Sequence, residues 1–245
     1  MADGRSVLVT GGASGIGAGL ARAFAQAGDR VVVADVNDAD GERVAAETGG
    51  VFCHADVADQ DAITAAVRTA TERFGRLDVA CLNAGVGGGT GLGATFDPRV
   101  YRRSMAVNLD GMVFGANAAV TAMRAQPSGG SIMFTSSLAG LAPAVDLYYA
   151  TAKHALIGLM RSMAMLLGTE GIRVNAICPG LVDTPVLAAA RDALIGHGLA
   201  LLQPVEVAAL VLELVAGGET GQAWEIQAGR PAEPVAFRAI DLSRT

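Results

Sequence analysis

The chain has 245 residues, of which 51% are hydrophobic and 17% are charged, and its formal net charge is −6. This length and apolar content argue against intrinsic disorder and provide for a sizeable core. The negative charge, with no run of Lys or Arg, argues against binding to nucleic acid or to an anionic membrane. The charged fraction is below the roughly 25% of average globular proteins, which suggests that some surface is buried between subunits.

Further features of the composition favour a cytoplasmic protein without a metal site. No apolar run reaches the roughly 18 residues of a membrane span, and the best candidate, at 155–168, contains Arg161. The opening stretch MADGRSVLVTGG lacks the apolar core of a signal peptide. The cysteines are odd in number and form no CxxC, which is typical of reduced thiols, and the histidines have no partner at metal spacing. These residues are Cys53, Cys81, Cys178, His54, His154 and His197.

In chain order, short β-branched runs alternate with longer Ala-rich segments. Strands are predicted at 6–10, 30–35, 51–56, 77–83, 130–137, 172–180 and 222–229. Helices are predicted at 15–27, 38–47, 59–73, 100–125, 148–167 and 204–216. This alternation predicts a parallel sheet covered by helices on both faces, and the continuously apolar strands agree with that burial. No linker is long enough to divide the chain, so residues 1–245 are expected to form a single domain for dinucleotide binding and catalysis.

The stretch VLVTGGASGIGAGLARAFAQAG at 7–28 predicts a strand, a glycine-rich turn and a helix. Glycine allows a tight turn and a close approach of backbone to a ligand, and a helix N-terminus favours a pyrophosphate. Asp35 ends the second strand 18 positions after Gly17, close to the spacing of an acid that binds a ribose hydroxyl. The predicted fold is therefore α/β, a doubly wound Rossmann fold with a seven-stranded, mostly parallel sheet. A methyltransferase also places an acid after its second strand, so this interpretation stays open here.

Asp35 also predicts which dinucleotide is preferred. A carboxylate accepts hydrogen bonds from both ribose hydroxyls and repels a 2′-phosphate, for which a basic residue is usual. Val36 follows Asp35, and Ser14 stands in the loop where a cation would help. We therefore expect NAD rather than NADP.

The stretch YYATAK at 148–153 places Tyr149 and Lys153 four residues apart on a predicted helix. Residues at this interval share one helix face, whereas Tyr148 points elsewhere. Spacing alone leaves two interpretations, a phenol placed beside an ammonium for chemistry or a chance pair on the surface.

Several motifs, taken together, resemble the short-chain dehydrogenase/reductase family. They are the G-x-x-x-G-x-G spacing of Gly11, Gly15 and Gly17, NAG at 83–85, YATAK at 149–153 and PG at 179–180. The match runs from about residue 6 to residue 228. The resemblance implies an oxidoreductase that transfers hydride between NAD(H) and a secondary alcohol or ketone, working as a homodimer or homotetramer.

Residue by residue, the resemblance implies a cofactor site around the glycine loop. Asp56 and Val57 would lie beside the adenine, and Asn83, Ala84 and Gly85 would line the cofactor. Pro179, Gly180, Val182 and Thr184 would meet the nicotinamide. The other positions expected to bind the cofactor are Gly11, Ser14, Gly15, Ile16, Gly17, Asp35, Val36, Tyr149 and Lys153.

The resemblance also implies four catalytic residues. Tyr149 would be the acid/base, and the ammonium of Lys153 is expected to lower the tyrosine pKa from its ordinary value near 10. Ser137 would bind the substrate oxygen, and it is expected in preference to Ser136 although its interval to Tyr149 is about one residue shorter than in the family. Asn108 would hold a helix kink and a water in the proton path.

The segment 181–204 after the PG motif is mostly apolar and is expected to form a substrate lid. With Leu138, Val145 and Leu147 it suggests an apolar alcohol or ketone, although packing of a small helix against the sheet explains the same residues. The nearly all-round apolar helix 148–167 supports a subunit interface. The tail 229–245 would complete a neighbour's pocket or lie on the surface. A non-catalytic dinucleotide sensor is the alternative function; a methyltransferase does not explain YATAK and NAG.

Overall fold

The computed structural model describes residues 4–188 and 190–238, and within these ranges an eight-stranded sheet forms the centre of the molecule. The strands are β1 (Ser6–Thr10), β2 (Arg30–Asp35), β3 (Val51–His54), β4 (Val79–Leu82), β5 (Gly130–Thr135), β6 (Ile172–Pro179), β7 (Ala223–Ile226) and β8 (Glu233–Pro234). Their order is β3-β2-β1-β4-β5-β6-β7-β8, and all neighbours are parallel except β7 and β8. The predicted α/β fold with a mostly parallel sheet is confirmed.

The predicted number of seven strands is one too few. The additional strand, β8, pairs antiparallel with β7 through Trp224 and Glu225. It has two residues, one of them Pro234, so it carries neither the length nor the β-branched composition that identifies a strand in a sequence. Proline is tolerated there because an edge strand leaves one row of backbone groups unpaired.

Helices cover both faces of the sheet. They are α1 (Gly15–Gln26), α2 (Asp38–Thr48), α3 (Gln60–Phe74), α4 (Pro98–Met105), α5 (Gly111–Arg124), α6 (Leu147–Leu167), α7 (Arg191–Gly196) and α8 (Pro204–Ala216). Helices α1 and α8 bury Phe24 and Val207 against one face, and α3, α5 and α6 bury Ile63, Met112 and Leu156 against the other. The strands are therefore buried on both sides, which explains their uninterrupted apolar sequences.

The predicted continuous helix 100–125 is interrupted. A π-helical turn, Ala106–Asp110, separates α4 from α5. Asp97 accepts a hydrogen bond from the Arg99 N–H and so caps α4, while Pro98 occupies its first turn, where a missing N–H costs nothing. The apolar periodicity continues through the turn and does not reveal the interruption, whereas the helix kink that the resemblance implies at Asn108 lies within it.

The chain reverses its direction across the sheet after β3. From β1 it proceeds outward to β2 and β3, then returns to β4 on the other side of β1 and continues outward to β7. The loops that follow β1 and β4 therefore diverge and leave a crevice at the carboxyl ends of the strands, which is where open α/β sheets bind ligands.

The tail, as far as residue 238, packs on its own chain. Val235 and Phe237 contact the core, and the Arg161 guanidinium of α6 lies 4.3 Å from the centre of the Phe237 ring. Residues 239–245, the remainder of the tail considered above, lie outside the described residues. Among the helices of the described chain, none combines the length and hydropathy needed to cross a bilayer.

Candidate active site

A cavity of about 980 Å³ opens at the carboxyl ends of the strands. It gathers residues from segments that are far apart in sequence, including the loops after β1, β3, β4 and β6 and the start of α6. The residues singled out in the sequence that line it are Gly11, Ser14, Gly15, Ile16, Asp35, Val36, Asp56, Val57, Asn83, Ala84, Gly85, Ser137, Tyr149, Lys153, Pro179, Gly180, Val182 and Thr184. Gly17 and Asn108 lie behind the lining, where they support it.

The glycine loop brings backbone to the floor of the cavity. Gly11 and Gly15 have φ values of 64° and 51°, which L side chains rarely adopt. A Cβ on Gly17 would lie 2.0 Å from the Gly11 carbonyl oxygen, so only glycine lets α1 begin this close to the turn. Ser14 precedes α1 without capping it through its side chain, which leaves the N-terminal N–H groups of the helix open toward the cavity. This geometry fits a pyrophosphate.

Asp35 is tied to the glycine loop. Its carboxylate accepts the N–H of Ala13 at 3.0 Å and the N–H of Asn37 at 2.9 Å. Each carboxylate oxygen has a second lone pair, so the group can still accept hydroxyl donors from the cavity. Val36 beside it is 57% exposed, and the basic residues in the described cavity lining are Arg103 and Lys153.

Two polar groups fix the crevice between β1 and β4. The hydroxyl of Thr10 accepts the backbone N–H groups of Asn83 at 2.9 Å and Ala84 at 3.2 Å. The Asn83 amide donates to the Thr10 carbonyl at 3.0 Å. Asp56, after β3, accepts the N–H of Ala58 at 2.9 Å and stays exposed at the cavity. The NAG motif thus holds the end of β4 against the glycine loop.

Lys153 is buried beneath the cavity, with a relative exposure of 2%. Its Nζ donates to the Thr135 carbonyl at 2.7 Å and lies 5.3 Å from the centre of the Tyr149 ring. Burial lowers the lysine pKa to about 8. The two residues of YATAK therefore share one side of α6, and the interpretation as a chance surface pair is wrong.

The expectation that the pKa of Tyr149 is lowered does not hold for the protein by itself. Burial of the phenol raises its pKa above the ordinary value, a contact with Ser137 offsets part of this, and the charge of Asp146 adds to the rise. Lys153 lies beside the ring and bonds to Thr135 rather than to the phenol oxygen. Spacing along a helix gives the proximity of two side chains but not the desolvation of either.

The two neighbouring serines have different surroundings. Ser136 is buried, and its hydroxyl donates to the Lys153 carbonyl at 2.9 Å. Ser137 accepts the N–H of Ala139 at 3.1 Å, and it is the serine whose hydroxyl contacts Tyr149. Ser136 therefore joins β5 to α6, whereas Ser137 lies beside the Tyr149 phenol at the cavity.

Asn108 sits in the π-helical turn and is fully buried. Its amide oxygen accepts the Val86 N–H at 2.9 Å, and its amide nitrogen donates to the Val86 carbonyl at 2.9 Å and to the Ser104 hydroxyl at 3.1 Å. A Cβ on Gly85 would lie 3.1 Å from the Asn108 oxygen and 3.6 Å from Lys153 Nζ. Asn108 therefore fixes the loop after β4 next to the lysine.

The loop after β6 closes the cavity from the opposite side. The Gly180 N–H donates to the Ile226 carbonyl at 2.9 Å, and Val182 forms a bridge with Leu202. Thr184 lies over the glycine loop, because a Cβ on Gly15 would be 2.9 Å from its methyl group. The segment expected to form the lid thus starts against the cofactor-binding loop.

The mouth of the cavity includes residues that the sequence did not single out as binding positions. Among the three apolar residues expected near the substrate, Val145 lines the cavity and is 90% exposed, and Val186 of the lid is 62% exposed. Arg103 reaches the cavity from α4, and Asp146 lies in it at the start of α6. Helix N-caps and surface arginines are common, so the sequence contains no signal that distinguishes Arg103 and Asp146 from other arginines and capping residues.

Comparisons with known proteins agree with this geometry. The sequence model described as short chain dehydrogenase matches residues 5–194. A 3-alpha-(or 20-beta)-hydroxysteroid dehydrogenase of Mycobacterium tuberculosis is 40% identical over 217 residues, which cover 86% of this chain and 82% of that protein. Borneol dehydrogenase of Lavandula x intermedia is 37% identical over 186 residues, 75% of this chain and 71% of that one. The crystal structure of 3-ketoacyl-(acyl-carrier-protein) reductase from Brucella melitensis complexed with NADH has a TM-score of 0.84 at 28% identity and covers 93% and 98% of the two chains.

Proposed function

This chain belongs to the short-chain dehydrogenase family, and we propose that it is an NAD-dependent oxidoreductase acting on apolar secondary alcohols or ketones. The observation that carries this proposal is the position of Tyr149, which faces the cavity with Ser137 in contact and Lys153 beneath its ring. A proton donor and acceptor, a hydroxyl for the substrate oxygen and a buried cation are the groups that such a reaction requires.

The cavity fits a nicotinamide dinucleotide, because the open N-terminus of α1, the close approach at Gly17 and the carboxylate of Asp35 suit a pyrophosphate and a ribose. When bound, the nicotinamide ring supplies the hydride acceptor or donor. Asp56 and Val57 are proposed to flank the adenine, and the residues from Pro179 to Thr184 are proposed to hold the carboxamide end.

The chain's own residues handle the proton. In alcohol oxidation, Tyr149 Oη takes the hydroxyl proton while Ser137 Oγ holds the same oxygen in place. In ketone reduction, the phenol returns that proton to the oxygen. Lys153 stabilises the phenolate by its charge, and its buried position keeps this interaction unscreened. Asn108 is proposed to keep the loop after β4 in register with Lys153 and to hold a water in the proton path.

NAD rather than NADP is proposed as the cofactor. Asp35 lines the cavity with a carboxylate, which would repel a 2′-phosphate bound beside it, and Val36 next to it offers no positive charge. Like charges disfavour each other, and a 2′-phosphate is normally matched by a basic residue.

The proposed substrate is a bulky apolar alcohol or ketone. Val145 and Val186 line the cavity with exposed apolar side chains, and Leu187 lines it as well. Two relatives are named for hydroxysteroids and for borneol. Burying such a substrate against these side chains stabilises binding by about 25 cal/mol for each Å² of apolar surface removed from water.

We also propose that one domain carries both sites and that the chain assembles as a homodimer or homotetramer in the cytoplasm. Met165 and Leu166 of α6 are 77% and 66% exposed, which suits coverage by a second copy. All three cysteines are free, which agrees with a reducing compartment. A monomer in light scattering at micromolar concentration would refute the assembly.

The experiment that tests the function is nicotinamide absorbance in the presence of a panel of secondary alcohols and ketones. The panel contains hydroxysteroids, monoterpene alcohols, aliphatic alcohols and sugars, each with NAD(H) and NADP(H). We expect turnover with NAD(H) and the apolar compounds, and no turnover with Tyr149→Phe. Tight NAD binding without turnover on any compound would instead support a non-catalytic dinucleotide sensor.

A further inference from the structure

The cavity contains a carboxylate that the proposed reaction does not use. Asp146 caps α6, the helix that carries Tyr149 and Lys153, by accepting the Tyr149 N–H on Oδ1 at 3.2 Å. Its second oxygen, Oδ2, accepts the N–H of Gly88 at 2.8 Å. A helix cap needs only one of these bonds. The second bond connects the helix to the glycine-rich loop after β4.

Gly88 makes this connection possible. A Cβ at this position would lie 2.3 Å from the Tyr149 nitrogen and 2.5 Å from Asp146 Oδ1, so no other residue lets the loop approach the helix as closely. On either side, Tyr148 donates its hydroxyl to the Gly91 carbonyl at 2.5 Å, and Asn108 bonds to Val86. The loop is therefore fastened at three points, and Asp146 is the only charged one among them.

The charge of Asp146 acts on the phenol from the start of its own helix. Among the described residues, Lys153 on α6 and Cys178 on β6 are further titratable groups close to Tyr149, and Arg103 of α4 lines the same cavity. Burial raises the pKa of the Cys178 thiol to about 12, so that group stays neutral. Asp146 thus opposes Lys153, and it raises the pKa of Tyr149 where the lysine would lower it.

We propose that Asp146 is a positioning residue with two roles: it fastens the glycine-rich loop to the start of the helix that carries Tyr149, and its negative charge opposes the charge of Lys153 at the phenol. This inference rests on the proposed function, since it assigns to Asp146 control over the pH range in which alcohol oxidation begins.

The variant Asp146→Asn separates these roles from simple capping. Asparagine caps helices as well as aspartate, but it lacks the charge and the second acceptor oxygen. We expect the acidic limb of the pH profile for alcohol oxidation to move to lower pH by roughly 0.5–1 unit, and the alkaline limb of ketone reduction to move the same way. Asp59→Asn is the matched control, because Asp59 caps α3 in the same manner and does not line the cavity.

The loop contact is tested by Gly88→Ala. The added methyl group collides with the Tyr149 backbone, so we expect kcat to fall roughly 10-fold or more while the Kd for NAD stays within a few-fold. Gly218→Ala is its control, since no atom lies within 4 Å of that Cβ position. Unchanged kcat in Gly88→Ala would overturn the positioning role.

The two proposals fail in different ways. Wild-type protein inactive on every alcohol contradicts the proposed function, whereas active protein with an unmoved profile in Asp146→Asn contradicts only the present inference. A readout without turnover is the ultraviolet absorbance of tyrosinate, taken as the difference from Tyr149→Phe during a pH titration. Tyr149 is expected to ionise at lower pH in Asp146→Asn, and ionisation at the same pH as in wild type would overturn the inference even for an inactive protein.

Discussion

Charged and polar side chains have different surroundings at the two ends of the parallel sheet. At the carboxyl end, Lys153 is buried with no carboxylate partner among the described residues, and Tyr149 is desolvated beside it. At the amino end, Arg5 donates to Asp29 through its backbone N–H, Nε and Nη2, at 3.0, 3.0 and 2.7 Å. Opposite charges at the amino end form ion pairs, whereas the charged residues in the described cavity lining do not pair with one another.

A second network at the amino end repeats this pattern. Asp78 accepts the N–H of Ser6 at 2.9 Å and Nε of Arg76 at 2.8 Å. Gln126 accepts the Leu77 N–H at 3.1 Å and donates to the Leu77 carbonyl at 2.8 Å, so the start of β4 is fully bonded. Satisfied groups of this kind stabilise a fold, and they have little left to offer a ligand. At the other end, burial of the Lys153 charge costs stability, and the Tyr149 phenol lines the cavity, where it is available for chemistry.

The largest expected effect comes from removing the phenol oxygen at the carboxyl end. We expect Tyr149→Phe to lower kcat by about 10²- to 10⁴-fold, since the proton transfer loses its positioned group. The Kd for NAD should stay within a few-fold, as measured by fluorescence titration. Tyr101→Phe is the control, because Tyr101 on α4 is 39% exposed and lies outside the described cavity lining. Activity retained in Tyr149→Phe would mean that another group is the base.

At the amino end the same kind of deletion should affect stability and spare catalysis. Asp29 is 5% exposed, and its loss leaves the Arg5 donors without their acceptor, so we expect Asp29→Ala to lower the free energy of unfolding by about 2–3 kcal/mol. Urea denaturation measures this, and kcat/KM should be unchanged. The exposed pair Arg22–Glu47 provides the contrast, with a smaller effect expected for Glu47→Ala. A loss of activity in folded Asp29→Ala would contradict the assignment of stability to the amino end and catalysis to the carboxyl end.

Cofactor preference should respond at the rim of the cavity. We expect Asp35→Ala combined with Val36→Arg to raise the ratio of kcat/KM for NADP over NAD by about 10- to 100-fold, because one repulsive charge is removed and one attractive charge is added. Steady-state kinetics with both cofactors measure the ratio. An unchanged preference would show that Asp35 serves only its hydrogen bonds to Ala13 and Asn37.

The smallest expected effect is a gain in stability at the carboxyl end. The folded pKa of Lys153, about 8, lies below its ordinary value of 10.5, so the buried charge destabilises the fold fully below pH 8 and less as pH rises from 8 toward 10.5. We therefore expect inactive Lys153→Met to be about 1–2 kcal/mol more stable than wild type near pH 7, with this advantage shrinking above pH 8. Denaturation at both pH values tests it; a less stable variant at pH 7 would contradict a cost of burial.

The difference between the ends also explains what sequence could predict. Strands β1 and β2 have the bounds predicted from their apolar runs, and α8 does as well, because hydrophobic periodicity encodes burial. The position of Tyr149 over Lys153 followed from helical spacing. The interruption at Ala106–Asp110 and the two-residue strand β8 depend on contacts with distant segments, which leave no periodic trace.

The burial and charge around the site residues were harder to predict than which residues form the site. The pKa of Tyr149 is raised rather than lowered because several loops together exclude water from the phenol. The burial that these loops produce cannot be read from any short motif. Asp146 resembles Asp59 and Asp97, which also cap helices. Asp146 differs from them in the hydrogen bond that it accepts from the Gly88 N–H, which depends on the folded position of the loop.

The π-helical turn makes the site sensitive to chain length as well as to the identity of Asn108. A π turn contains one residue more than an α turn. Deleting any single residue between Ala106 and Asp110 would let α4 and α5 join into one regular helix, and the two halves would rotate by about 100° relative to each other. Asn108 would then swing away from Val86. Substitutions at the exposed Asp110 are tolerable, but a one-codon loss in this stretch would disconnect the loop from the lysine.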